Sequence, residues 1–167
     1  MTIDQKISLG SAIISFLSMI GAIVFSIKAF LSSKRANEIA IGQAETGLRE
    51  QISIARQRME DIGLEIQKFL KGRKREQLSP DENNYLSFLE RTWNSSVENY
   101  LNAYEDACGK YIDGKIDRIR FKKMYIEEIR NICDPKRESY KKHMHPKTTS
   151  KFEAIWKVYE EWHRHEK

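Results

Sequence analysis

The chain is poor in the residues that break helices. Its 167 residues hold three prolines and eight glycines, which leaves long uninterrupted stretches free to coil. Cysteine is as scarce. Cys108 and Cys133 are the only two, and their spacing makes neither a paired metal motif nor a disulfide framework. They read as small apolar core residues. No segment alternates apolar and polar at period two, so no sheet is expected. A glycine-rich phosphate loop, a nucleophile elbow, a Cys-x-x-Cys pair and an acidic metal cluster are all missing. No cofactor and no metal are therefore expected, and the chain is read as a non-enzyme. The charge imbalance is small, 29 Lys and Arg against 24 Asp and Glu. A net +5 permits contact with anionic lipid or nucleic acid without demanding it.

What is present is very uneven. Mean hydropathy is −0.63 and 32% of residues are charged, yet no charge falls between Ile7 and Ile27. That run of about 21 positions makes about 31 Å of helix, close to the ~30 Å hydrocarbon core of a bilayer. A signal peptide fits less well: the run exceeds an h-region of ~7–15 residues, and Lys28, Lys34 and Arg35 stand where a cleavage site belongs. A transmembrane helix over roughly 7–31 is expected, within an anchor of residues 1–32. Asp4 and Lys6 precede it and the heavier positive side follows it, so residues 32–167 are expected in the cytoplasm of a bacterial inner membrane. Ser8, Ser11, Ser15, Ser18, Ala22 and Ala29 recur at steps of three and four, interrupted by Phe25. Small and hydroxylated residues let helices approach closely in lipid. The expected partners are thus the bilayer and further copies of the chain.

Residues 33–78 read as a stalk. Leu48, Ile52, Ala55, Met59, Ile62, Ile66 and Phe69 repeat at steps of four and three over about three heptads. This seam either joins copies into a parallel stalk or packs in cis against later helices; the neighbouring anchor favours the first. Lys68, Lys71, Arg73, Lys74 and Arg75 close the stalk as a basic cluster. Cations at a helix C-terminus answer the helix dipole, which is the reading preferred over phosphate binding, and nucleic acid is not the expected partner.

Residues 79–167 read as a small helical bundle. Ser79-Pro80-Asp81-Glu82 is a helix start with a capping box. The helix behind it presents Leu86, Leu89, Trp93, Val97, Tyr100, Tyr104, Cys108 and Tyr111 on one side, and Asp113-Gly114 ends it. Asp117 is expected to cap a second helix with Ile119, Ile126, Ile129 and Cys133 inside. Asp134-Pro135 should start a third, broken by His145-Pro146. Thr149 or Ser150 should open a last one carrying Phe152, Ile155, Trp156, Tyr159 and Trp162. The aromatic stripes are expected to form the core, and the bundle as a whole to engage a protein partner.

Two constellations bear on chemistry. His143-Met144-His145 and His163-Arg164-His165 supply metal-binding side chains, but residues two apart on a helix point away from each other. Arg137-Glu138-Ser139-Tyr140-Lys141-Lys142-His143 resembles the short motif of HEPN ribonucleases, all-helical proteins recurring in bacterial toxin and defence systems. The resemblance implies that Arg137 would stabilise phosphate charge and His143 would move a proton. It covers seven residues. A broader pattern also has a counterpart. An anchor, a polar helix, Asn102-Ala103-Tyr104-Glu105, then Ile112-Asp113-Gly114-Lys115-Ile116-Asp117 and Phe121, resembles small anchored helical proteins of bacteria encoded beside phage-defence genes. That resemblance covers about residues 85–132 and implies no activity of its own; it ranks an oligomeric membrane effector of a defence or toxin system ahead of a membrane tether for a cytosolic partner.

Overall fold

A computed structural model describes the backbone of residues 3–164 and the side chains of residues 16 and 18–164. Among the described residues the chain is all-helical. The five α-helices are α1 (Ile3–Leu70), α2 (Pro80–Ile112), α3 (Arg118–Cys133), α4 (Glu138–Met144) and α5 (Glu153–His163), with short 3-10 turns at Arg75–Gln77 and Lys147–Thr149. The chain divides into two compact units between Gly42 and Gln43.

The first unit is helical throughout its described backbone. Its described side chains from Phe16 to Ala40 are exposed. They include Phe16, Ile20, Ile23, Val24, Phe25 and Phe30, and Phe25 is 75% accessible. Among the described residues no helix is long and apolar enough to cross a membrane. Of the expected span, residues 7–15 together with Leu17 lie outside the described side chains, and the remainder does not by itself support a transmembrane helix.

The second unit starts earlier than the sequence pattern places the bundle. Leu48 and Ile52 of α1 are buried in the same cluster as Val97, Tyr100 and Tyr104 of α2, with Ala55 and Met59 packed against it. Residues 43–70 thus belong to the bundle, and the seam is covered inside one chain. Ile62, Ile66 and Phe69 continue it half-buried. Tyr85 hydrogen-bonds Glu65, Gly63 lies against Trp93 and Arg56 meets Tyr100. Rising α1 numbers pair with falling α2 numbers, so the two helices run antiparallel.

Local signals set most helix starts. Ser79 accepts from the Glu82 N–H while the Glu82 carboxylate accepts from the Ser79 N–H, both halves of a capping box. Gly114 takes φ +69° just beyond α2, where a side chain would be strained. Asp117 caps α3 through the Arg120 N–H. Glu45 of α1 adds to that cap, accepting from the Asp117 N–H at 2.9 Å and pairing with Arg120 at 2.8 Å.

Three expectations need correction. Ile119 is 84% accessible while Phe121 is buried, so the inner face of α3 runs through Phe121, Ile129, Ile132 and Cys133, with Ile126 half-buried. α4 begins at Glu138, because the Asp134 side chain accepts from the Lys136 N–H and the Asp134 carbonyl from the Arg137 N–H, making a turn first. α5 begins at Glu153 with Phe152 at a cap position that offers no side-chain acceptor. Its acceptors come from α2: Glu105 receives the Ala154 N–H at 2.8 Å and the Ile155 N–H at 3.0 Å.

Candidate functional sites

His143 lies on α4, whereas Arg137 stands at the cap position before it in extended backbone. The exposed Arg137 reaches back to the Asn131 side chain at 3.4 Å. His143 is half-buried and faces Glu98 of α2, Lys142 of its own helix and Lys151 before α5. Its Nε2 is enclosed without a hydrogen-bond partner. Burial holds its pKa below the usual histidine value, with Glu98 opposing and the two lysines reinforcing. Burial thus disfavours the imidazolium form, and the guanidinium six residues earlier bonds Asn131 instead.

The remaining histidines do not gather. His145 Nε2 lies 3.1 Å from the Cys133 carbonyl, its ring edge-on to Trp156. Arg130 approaches His163 Nδ1 at 3.4 Å. His165 lies outside the described residues. Among the described residues no group of His, Cys, Asp and Glu could hold a metal ion. Cys108 and Cys133 are buried free thiols, and burial pushes both thiols up, away from the thiolate form that binds metal or attacks.

The basic cluster is partly answered within the chain. Arg73 pairs with Glu82 at 2.8 Å and Arg75 with Glu90 at 2.9 Å, both on α2. Arg73 also donates to the Phe69 carbonyl at the end of α1, as the dipole reading expects. Lys68, Lys71 and Lys74 are exposed. Of the small-residue stripe in the first unit, Ser18 and Ala22 are exposed, whereas Ser8, Ser11 and Ser15 lie outside the described side chains.

Two features escaped the sequence pattern. The first is a polar triad across three helices. The hydroxyl of Tyr100, a residue 0% accessible, donates to Glu128 at 2.6 Å and accepts from Arg56 at 3.1 Å. Arg56 and Glu128 meet at 3.0 Å. Burial, with Tyr104 and Glu128 beside it, pushes the Tyr100 phenol far up, so it stays a donor. Tyr100 stacks on Tyr140 and stands edge-on to Tyr104. This arrangement cross-links α1, α2 and α3 and offers no activated group. A tyrosine inside a helical stripe was legible; its charged partners on other helices were not.

The second feature is a pair of open clefts flanking α1 within the second unit. One, of about 440 Å³, lies between α1 and α3 beside the triad, with Arg49, Ser53 and Arg56 on one wall and Glu127 and Glu128 on the other. Arg49 donates to the Met124 sulfur, a weak acceptor. The other cleft, of about 450 Å³, lies between α1 and α2. No protein-family model, curated protein or solved structure matches this chain.

Proposed function

We propose that this chain is a membrane-anchored, non-enzymatic helical protein. The stretch of roughly 7–31 holds it in a bacterial inner membrane, and the bundle on the cytoplasmic side engages a protein partner. The observation that carries this reading is the exposed apolar helix of the first unit. Phe16, Ile20, Ile23, Val24 and Phe25 stand open to the surroundings, in a run without charge from Ile7 to Ile27, and Phe30 is exposed just past Lys28. An apolar surface of this extent demands a covering phase, and the length of the run suits lipid. Lys28, Lys34 and Arg35 support the orientation. Ser18 and Ala22 support contact between anchors. The resemblance to anchored proteins beside defence genes favours a membrane-disturbing effector over a plain tether.

The test expresses the full chain beside a variant lacking residues 1–32. Both are fractionated through alkaline carbonate, and membrane potential is followed with a voltage-sensitive dye. The full chain is expected to stay in the membrane pellet, to depolarise the cell when active, and to lose both properties with residues 1–32. A full chain released by carbonate refutes the anchor. Pelleting without depolarisation replaces the effector with the tether. Growth arrest without depolarisation, abolished by His143→Ala, replaces both with a HEPN-like nuclease.

A further inference from the structure

The cleft between α1 and α2 lies on the face turned away from the aromatic core. Its floor is small: Ala55 from α1 and Ala103 from α2. Its walls carry groups that both donate and accept, Gln51 on α1 and Asn99 and Asn102 on α2. Ile54 is 44% accessible beside them. The charges sit asymmetrically: Arg58 on α1 and Asp106 on α2 also line the cleft. Arg56 meets Tyr100 and Gly63 meets Trp93, so Arg58 stands near the level of Asn99. Asp106 lies about two turns further along α2. Arg58 and Asp106 therefore occupy opposite walls and opposite ends.

A two-fold axis lying across the mouth of the cleft, perpendicular to the line from Arg58 to Asp106, turns a second copy face to face with the first and exchanges those two positions. It brings Arg58 of one copy over Asp106 of the other, twice, and sets amide against amide between them. We infer that the α1–α2 cleft is a self-complementary docking surface for a second copy of this chain, closed by paired Arg58–Asp106 contacts and side-chain amides. Isologous contact needs a surface complementary to itself, and this one is complementary in charge and in hydrogen-bonding. The alanine floor lets the partner backbone approach. Asp106 also pairs with Lys110 at 2.7 Å across an exposed helix turn, and a carboxylate has acceptor sites for both cations. The surface belongs to the bundle alone, so it stands whether or not the first unit is a membrane anchor.

The two-fold axis passes close to Ile54, which makes a cysteine there a reporter. Cys108 and Cys133 are buried and will not compete. Full-length Ile54→Cys is oxidised under mild conditions in whichever fraction, membrane or soluble, holds the protein. Ile119→Cys serves as the control, on an exposed α3 position away from the cleft. Disulfide-linked dimer is expected at Ile54→Cys at least fivefold above the control. Arg58→Asp or Asp106→Arg, added singly to Ile54→Cys, sets like charges together twice and should cut the yield about tenfold. Combining the two reversals restores the pairing and should restore the yield. Circular dichroism checks that each exposed-site variant stays folded. Yield no greater than the control, cross-linking to another protein alone, or no rescue by the double reversal overturns the inference.

Discussion

Removing the Glu105 carboxylate should loosen the last helix of the bundle. Two N–H groups in the first turn of α5, those of Ala154 and Ile155, donate to Glu105 from 49 and 50 residues away. Phe152, at the cap position, makes no side-chain cap bond. A lost N-cap costs about 1 kcal/mol, and hydrogen bonds to a charged acceptor run at about 1.5–3 kcal/mol. Glu105 also ties α5 to α2, and α5 contributes Ile155, Trp156, Val158 and Trp162 to the core. Glu105→Ala should therefore cost about 2–3 kcal/mol. In a folded unit of this size that lowers Tm by about 8–12 °C. Glu105→Gln keeps one good acceptor and loses the charge, and should cost about half as much. The assay is urea unfolding of the full chain followed by tryptophan fluorescence, since Trp156 and Trp162 report on α5. Glu98→Ala is the control, because Glu98 pairs with Lys151 on the surface and exposed pairs contribute little. A Glu105→Ala midpoint within experimental error of the control would show that water or a local side chain caps α5 equally well.

Three further outcomes follow from particular contacts. Gly47→Ala should stabilise by up to about 1 kcal/mol through helix propensity, since a Cβ there meets nothing within 4 Å; Gly63→Ala should not, because its Cβ would stand 2.9 Å from the Trp93 ring. A difference of at least about 1 kcal/mol between the two in urea midpoints is expected. Tyr100→Phe removes the hydroxyl shared by Arg56 and Glu128 and should cost about 1–2 kcal/mol, while leaving the Arg56–Glu128 pair in place. His143 has a folded pKa below its ordinary value because burial disfavours the cation. The unfolded chain then binds the extra proton first, so its contribution is fully present above about pH 6.5 and is lost as pH falls below it. Unfolding midpoints between pH 5 and 7.5 should fall less steeply for His143→Gln than for the natural chain; equal slopes would refute the assignment.

The sequence by itself determined the helices and many of their ends. Ser79 with Glu82, Gly114, and Asp117 with Arg120 act within four residues of one another, so their geometry is fixed by local backbone sterics and hydrogen bonding whatever the rest of the chain does. The apolar stripes of α2 and α5 were equally legible, because helical periodicity identifies a buried face. Periodicity does not say what covers that face. The Leu48–Phe69 seam could serve a second copy or its own bundle, and the cluster joining Leu48 and Ile52 to α2 decided for the bundle. On α3, the sequence pattern placed Ile119 inside and did not count Phe121, two residues on, as core. Packing of Phe121 against Tyr111, Tyr125 and Trp162 turned it inward and left Ile119 outside. The start of α5 depended on Glu105, and the neutralisation of Arg73 and Arg75 on Glu82 and Glu90. Those choices belong to the tertiary structure, because the partner groups lie on other helices and meet only once the chain has folded.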